Sequence, residues 1–410
     1  MDSATERISH TMPKGAFNPN LPAAEVKDRL LTDILGLAPD IASRAGEFEM
    51  ARCIPLDLVA RLRSVGIYRM LVPGSHGGLE LDLPSALDIC SALARIDGSV
   101  GWTAMIGSGS TLFAPLLPRD IYERIYRNGP DVIVAGSTAP FGKAEAVPGG
   151  WRVSGRWPFA SACQHADWLA GFCIMSKDGQ PIPGERGQPL VRAVLLPAEN
   201  WRIEDTWDAA GLKGTGSHDI VLVDKTVPEA NFFSFESPPC LPGPLYRTVP
   251  YCLPLFLGAV GVGIAGGALD DLVKFAGAGR RPLRSTVPMH ASEVFQHDLG
   301  RIDADLRAAR SFLEVQAASH WRHAQAGTLR GEGLLTEGVQ AGIWIVETCS
   351  RVADACFSLG GGAALYAHSP LQRRMRDLHA AAQHARIHQR EYLACGKAVL
   401  GRYGLDVAGA

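Results

Sequence analysis

The periodicity of apolar residues changes twice along the 410-residue chain, and this order limits the folds open to it. Residues 23–128 repeat apolar side chains every three or four positions, which predicts helices. Residues 129–240 hold short apolar runs separated by Gly, Pro and Asp, which predicts strands. Residues 245–405 return to the helical repeat. The sequence therefore predicts an α+β protein with an N-terminal helical domain, a central β-barrel domain and a C-terminal four-helix bundle.

The bundle is predicted to contain four long helices with internal apolar stripes. The pattern places them at Gly261–Phe275, Ala291–Ala326, Leu335–Ser358 and Arg374–Leu400. In the N-terminal region, a Gly- and Ser-rich apolar helix is predicted from Val100 to about Leu116, after a break at residues 97–99.

Charge and cysteine usage exclude several classes of protein. The formal net charge is -2 with both signs mixed along the chain, so nothing favours nucleic acid or an anionic membrane surface as a partner. The nine cysteines form no Cys-x-x-Cys pair and have no zinc-like spacing with histidine, which favours free thiols and no metal. Residues 1–21 contain no apolar run typical of a secretory signal. We expect a cytoplasmic protein.

The most apolar stretch of the chain is Tyr251–Leu269. Its length alone would permit a membrane span. However, it contains Pro254 and five glycines, and glycine-rich helices also pack closely inside soluble bundles. We therefore expect a buried core helix.

Several short motifs follow one another in a specific order. These are Pro73–Leu79 with its Gly-Gly pair, Gly155–Ser161, Gly211–Asp219, Asp224–Pro228, and Gly361–Gly362 followed by Arg376–Asp377. Together with the helix, strand, helix order, they resemble the acyl-CoA dehydrogenase family over nearly the whole chain after residue 23. The resemblance implies an acyl-CoA dehydrogenase-like fold and a flavin cofactor.

The catalytic base of the dehydrogenases separates two branches of this fold. Removal of an α-proton needs a tuned carboxylate, which in the family lies about eight residues after the Arg-Asp pair. That position is Ala385, and no Glu occurs in residues 376–390 or 246–274, although Asp270 and Asp271 lie in the second range. The residue directly before this position is His384. This pattern resembles the oxygenase components of two-component flavin-dependent monooxygenases.

The oxygenase resemblance implies a set of cofactors and partners. Reduced flavin, FMN or FAD, would arrive from a separate NAD(P)H flavin reductase and react with O2 to give a C4a-hydroperoxide. The enzyme would then oxygenate an aromatic or heteroaromatic small molecule, and it would assemble as a homotetramer. Such a site must exclude water, because water that reaches the C4a-hydroperoxide promotes its decay with release of hydrogen peroxide.

The resemblance also assigns roles to individual residues. His384 and Ser161 are the expected catalytic residues, with Ser161 near flavin N5. The residues expected to bind the cofactor are Ser137, Trp157, Phe159, Ser161, Arg281, Gly361 and Gly362. The last three are expected at the flavin tail, either of the same subunit or of a neighbouring one. The residues expected to bind substrate are Trp102, Ser110 and His384.

Other interpretations stay open at this stage. Trp157 and Phe159 share a strand face and would also fit the core of the β domain. Phenol-hydroxylating relatives often carry a second histidine in the apolar helix after the residue that matches Trp102. Here that stretch reads Gly107-Ser108-Gly109-Ser110, so either Ser110 replaces the histidine or the substrate differs. The competing functions are an acyl-CoA dehydrogenase-like enzyme with a displaced base, and a protein of this fold that binds a partner without catalysis.

Overall fold

The computed structural model describes residues 23–184, 187–281, 285–330 and 333–405. Helices come first, a sheet follows, and longer helices complete the chain, in the predicted order. The N-terminal helices are Ala23–Ser43 (α1), Ala45–Ala51 (α2), Leu56–Val65 (α3), Leu83–Ile96 (α4), Gly98–Gly109 (α5) and Arg119–Ile125 (α6). The expectation about residues 1–21 lies outside the described ranges, and the domain limits near residues 128 and 240 stay predictions.

Two aspartates define where α4 and α5 begin. The carboxylates of Asp82 and Asp97 each accept a backbone N–H three residues on, at 2.8 and 3.1 Å, and so cap the two helices. Helix α5 ends at Gly109, and the chain tightens into a 3-10 segment at Ser110–Leu116, where the sequence predicted one continuous helix. Pro115 lies inside this segment and has no N–H to donate, which disfavours continued α-helix.

The central domain is one sheet of eight strands. They are Val134–Val147 (β1), Gly150–Trp157 (β2), Trp168–Lys177 (β3), Gln180–Pro181 (β4), Val191–Pro197 (β5), Arg202–Glu204 (β6), Asp219–Val227 (β7) and Phe232–Phe233 (β8). The hydrogen-bonded order is β6-β7-β2-β1-β3-β5-β8, with β4 also on β3. Since this path ends at β6 and β8 in the described residues, the domain is an open sheet rather than the closed barrel that the sequence predicted.

A register shift in the sheet shapes one wall of a cavity. Strands β1 and β3 pair in parallel, and the pairing jumps between Ser137 and Gly142. Extra residues on one strand bend it and redirect its side chains. The residues at the shift, Ser137 to Ala139, line a cavity of about 700 Å³.

The C-terminal helices are Leu253–Gly277 (α7), Glu293–Ala326 (α8), Leu334–Gly360 (α9), Pro370–Ala381 (α10) and Tyr392–Arg402 (α11). Helix α7 is the apolar stretch noted in the sequence, and 83% of its most apolar window is buried. Gly263 lets it approach α4 so closely that a Cβ there would overlap the carbonyl oxygen of Ser91. Helix α7 is therefore a core helix, which confirms the expectation.

The prediction of one helix over Arg374–Leu400 is wrong. Helix α10 ends at Ala381, and two 3-10 turns precede α11. At the break, His384 has an extended backbone, and its imidazole Nδ1 accepts the backbone N–H of Arg386 at 3.2 Å. Such local side-chain to backbone bonds compete with helical hydrogen bonds. The result is a loop that carries His384 and Arg386 to the cavity.

Candidate active site

A cavity of about 700 Å³ lies where the N-terminal helices, the sheet and the C-terminal helices meet. Its walls come from α5, β1, β3, the 207–217 segment, the start of α7, and α10 with the loop that follows it. Most of the lining is apolar or aromatic. The described lining includes two arginines, Arg376 and Arg386, but no Asp or Glu.

The carboxylates that a displaced dehydrogenase base would require are engaged elsewhere. Asp270 pairs with Arg95 at 2.7 Å, and Asp271 pairs with Arg374 at 3.1 Å. Neither aspartate lines the cavity. The described walls of the cavity therefore contain no carboxylate that could remove an α-proton.

The Arg-Asp pair of α10 holds the turn that follows Ala210. Arg376 donates to the carbonyl oxygen of Ala210 at 2.5 Å and to Glu49 at 2.7 Å. Asp377 is buried and accepts the N–H of Leu212 at 2.6 Å. Two motifs that lie about 165 residues apart in the sequence thus form one contact. This contact fixes the backbone that forms one side of the cavity.

A chain of hydrogen bonds runs through the buried polar end of the cavity. The indole Nε1 of Trp102 donates to the Ser161 hydroxyl at 2.9 Å. Ser161 and Ser217 lie 2.7 Å apart, as do Ser217 and Thr215. Thr215 in turn donates to the carbonyl oxygen of Leu212 at 2.7 Å.

The two ends of this chain fix the direction of every hydrogen in it. Thr215 has one hydrogen and gives it to a carbonyl, so it accepts from Ser217. Ser217 must then accept from Ser161, since its own hydrogen is used. Ser161 consequently offers the cavity an oxygen lone pair and no free hydrogen.

His384 lines the same cavity, next to Trp102. Its ring centre lies 5.9 Å from that of Trp102. Burial, together with the nearby Arg386 charge, lowers the pKa of His384 to about 4, so the imidazole is neutral at pH 7. Because Nδ1 accepts the Arg386 N–H, the proton of the neutral ring is on Nε2. His384 is thus a hydrogen-bond donor at neutral pH.

Most of the residues predicted to act in the site do line the cavity. These are Trp102, Ser110, Ser137, Phe159, Ser161 and His384. Phe159 is 70% exposed, has a left-handed backbone with φ of 63°, and meets Trp207 edge to face at 6.4 Å. Its ring presents an apolar face to the cavity.

Trp157, which was expected at the flavin, does not form part of the described lining of this cavity. Its side chain is fully buried inside the sheet, and its Nε1 donates to the carbonyl oxygen of Phe172 at 2.7 Å. The ring packs edge to face on Trp201 at 5.3 Å. Trp157 thus lies in the core of the sheet, and its expected role at the flavin stays a prediction.

Arg281, Gly361 and Gly362 also lie outside the described lining of this cavity. All three are exposed at the surface of the chain. Gly361 ends α9 with φ of 59°, a conformation that favours glycine. Any contact of these residues with a cofactor must involve a site other than this cavity.

Many residues of the lining were not predicted to have a role, and four of them contribute polar or aromatic groups that bear on its chemistry. These four are Trp207, Thr215, Ser217 and Arg386. Thr215 and Ser217 lie in a motif that the sequence revealed, but the direction of their hydrogen bonds depends on the folded geometry. Arg386 was hidden by the prediction that a helix continues through it.

Comparison with known proteins places this chain in a family. A family model described as "Acyl-CoA dehydrogenase, C-terminal domain" matches residues 255–389. Over 356 residues the chain is 32% identical to indole-3-acetate monooxygenase of Acinetobacter baumannii, covering 86% of this chain and 90% of that protein. It is 30% identical to the flavin-dependent monooxygenase, oxygenase subunit HsaA, of Rhodococcus jostii, covering 90% and 97% respectively.

Solved structures agree with this placement. The 3-HSA hydroxylase from Rhodococcus sp. RHA1 superposes with a TM-score of 0.85 at 29% identity, covering 93% of this chain and 98% of that one. XiaF from Streptomyces sp., solved with FADH2 and glycerol, gives a TM-score of 0.85 at 26% identity, with 95% and 98% covered.

The fold and the site together define a flavin enzyme with the acyl-CoA dehydrogenase fold. Within that class, the chain belongs to the oxygenase components of two-component flavin-dependent monooxygenases. Enzymes of this family use reduced flavin, which a separate reductase supplies. The dehydrogenase alternative and the non-catalytic alternative are thereby overturned.

The residues present fit a reduced flavin. Phe159 and Trp207 offer apolar ring surfaces suited to a planar tricycle. The lone pair of Ser161 suits a group that donates an N–H, and the reduced flavin ring carries one at N5. The fixed 209–212 backbone adds polar groups along the same wall.

Proposed function

We propose that this protein uses reduced FAD and O2 to hydroxylate or oxygenate an aromatic or heteroaromatic small molecule. The observation that carries the proposal is the make-up of the cavity. It combines apolar walls, a directed hydroxyl chain and a neutral histidine, and its described lining has no carboxylate. Relatives named with FADH2 favour FAD over FMN.

The overall reaction balances without a further reductant. When bound, the reduced flavin supplies two electrons to O2, so that one oxygen atom enters the substrate and the other leaves as water. The protein's task is to position the reactants and to exclude water. The apolar lining of the cavity supports both tasks.

Ser161 and its neighbours hold the cofactor in this proposal. The Ser161 hydroxyl oxygen would accept a hydrogen bond from N5 of reduced flavin, and Trp102 and Ser217 hold that hydroxyl in the orientation this requires. Phe159 covers one face of the ring system. Ser137 lies on the shifted part of β1 and would separate the flavin from the substrate.

His384 and Ser110 face the substrate in this proposal. The neutral His384 donates a hydrogen bond from Nε2 to the oxygen or the substrate during transfer. The Ser110 hydroxyl has no hydrogen bond to the protein within the described residues, so it is available to a polar group of the substrate. Trp102 closes the buried end.

We further propose a cytoplasmic homotetramer. All nine cysteines are free thiols, as a reducing compartment permits. Leu365 and Tyr366 are 71% and 62% exposed beside Gly361 and Gly362, which favours burial against a neighbouring subunit. Arg281, Gly361 and Gly362 would then reach the flavin tail of that neighbour.

The proposal is tested by adding substrates in two stages. The purified chain is first mixed with oxidised FAD and a panel containing indole-3-acetate and resorcinol, without oxygen. We expect the flavin absorbance to stay unchanged. An NADH-dependent flavin reductase and air are then added, and we expect a product 16 mass units heavier. Bleaching of FAD by a substrate in the first stage would contradict the proposal.

A further inference from the structure

Arg386 brings a positive charge to the cavity without a visible counter-charge. Its side chain is half-buried and lines the cavity. Within the described residues its guanidinium makes no hydrogen bond, and no carboxylate oxygen lies within 4.0 Å of it. Burial lowers the pKa of Arg386. A charge held in this way usually has a partner.

The other charges near the cavity already have partners. Arg376 is bonded to Glu49, and His379 contacts Asp354 at 2.8 Å. Glu391, the acidic residue that acts on Arg386 electrostatically, contacts Arg390 at 3.6 Å. The described lining therefore has an excess positive charge, and Arg386 is its source.

The surroundings of Arg386 are aromatic. Its Cζ lies 5.4 Å from the ring centre of Phe235. Phe235 in turn packs on Phe172 at 5.0 Å and on Phe113 at 5.8 Å, and these two rings line the cavity. Arg386 also stands two residues from His384 on the same loop. A guanidinium, aromatic walls and the histidine thus surround one part of the cavity.

We propose that Arg386 binds the carboxylate of an aromatic acid, so that the substrates of this enzyme are small aryl carboxylates. This inference rests on the proposed function. The planar guanidinium can donate two parallel hydrogen bonds to a carboxylate, and such bonds are strong where water is scarce. The aromatic part of the acid packs against Phe113 and Phe172. A neutral substrate would leave the Arg386 charge uncompensated.

The test compares each acid with its neutral amide. Indole-3-acetate is paired with indole-3-acetamide, and phenylacetate with phenylacetamide, and binding to the purified chain is measured by calorimetry without flavin. We expect at least one acid to bind about tenfold or more tightly than its amide. Arg386→Gln should abolish this preference, and Arg386→Lys should retain part of it.

Arg390 provides a matched control. Its backbone N–H bonds to His388 Nδ1 at 3.2 Å, as that of Arg386 bonds to His384, but its side chain is exposed and contacts Glu391. Arg390→Gln should leave the acid preference unchanged. The inference is overturned if neither acid binds, if acids and amides bind equally, or if Arg386→Gln keeps the preference.

Two further results separate this inference from neighbouring ones. If Arg386→Gln weakens FAD binding while the acid preference remains, the side chain serves the cofactor and the inference fails. If neutral aromatics are hydroxylated with reduced FAD and O2 but the acids bind no more tightly than their amides, the proposed function stands and only the role of Arg386 is lost. Acid binding without any oxygenated product from the acids would instead count against the proposed function.

Discussion

The indole nitrogen of Trp102 lies 2.9 Å from the hydroxyl oxygen of Ser161, and this bond determines what Ser161 can offer to the cavity. Trp102 supplies a hydrogen on one side, and Ser217 takes the serine's own hydrogen on the other. Ser161 is left as an acceptor. A reduced flavin, which donates from N5, suits such a group, whereas an oxidised flavin, which accepts at N5, does not.

Interrupting the hydroxyl chain should change the preference between flavin redox states. In Ser217→Ala, Ser161 regains a hydrogen that it can donate to oxidised flavin. We expect oxidised FAD to bind about fivefold more tightly than to the wild type, as one added hydrogen bond implies. The affinity for reduced FAD should fall by a smaller factor. Anaerobic fluorescence titrations with both redox forms give the two affinities.

Ser176→Ala is the control for this change, because it removes a buried hydroxyl that bonds to Ala144 elsewhere in the sheet. Its ratio of affinities for the two flavin forms should equal that of the wild type. If Ser217→Ala also leaves the ratio unchanged, the hydrogen direction inferred for Ser161 is wrong.

Replacing His384 should affect oxygen transfer more than flavin binding. Because the neutral ring is expected to donate from Nε2, His384→Ala should lower the share of NADH electrons recovered in product by about tenfold or more, with peroxide in its place. His384→Gln keeps a donor and should be less impaired. The neighbour His388, which lies outside the described lining, serves as the control. An equal loss in His388→Ala would remove the special role of His384.

The pKa of His384 also predicts a pH dependence of stability. It is about 4 in the folded protein, below the usual 6.5, so the unfolded chain binds more protons between these values. The stabilisation is complete above pH 6.5 and is lost as the pH falls through 4. Urea unfolding should therefore show a steeper loss over this range for the wild type than for His384→Ala. Parallel curves would contradict the prediction.

The carboxyl group of Asp377 should give folding stability the opposite pH dependence. Burial, with the nearby Asp97 charge, raises its pKa to about 7 from an ordinary 3.8. The folded protein holds this proton more tightly, so the contribution to stability is present at low pH and is lost as the pH rises through 7. Asp377→Asn can still accept the Leu212 N–H without titrating. Its unfolding midpoint in urea should improve relative to the wild type between pH 4 and pH 8.

Gly211 lets the turn approach α10. A Cβ at this position would overlap the carbonyl oxygen of Arg376, which is backbone and cannot easily move. Gly211→Ala should therefore lower the free energy of unfolding by about 1–3 kcal/mol and weaken FAD binding. Gly300 lies in α8, and a methyl group added there would meet no atom within 4 Å beyond the backbone of its own helix, so Gly300→Ala should instead be neutral or mildly stabilising. Thermal unfolding with and without FAD distinguishes the two.

The order of domains was predictable because helical and strand periodicity depend on neighbouring residues. The Asp97 break and the buried character of α7 were local features of this kind. The end of α10 was not, since residues 374–400 contain no Pro or Gly before residue 396. The helix breaks there because His384 bonds to its own loop, and no periodic pattern records that bond.

The residues of the site likewise divide into those that the sequence could predict and those that it could not. His384 and Ser161 were found because they lie in motifs that resemble a family. Trp157 was assigned to the flavin because its strand leads there, yet the small residues Gly142, Gly155 and Gly171 leave a space in the sheet core that the indole fills. Arg386 became visible only when the fold showed which charges already have partners.

The central claim is that an oxygen atom from O2 enters an aromatic substrate. The most direct measurement supplies the chain with reduced FAD, ¹⁸O2 and an aromatic acid such as indole-3-acetate, and determines the mass of the product. We predict a product 18 mass units heavier than the substrate, with unlabelled water contributing no oxygen. A dehydrogenated product, or a hydroxyl group derived from water, would contradict the account.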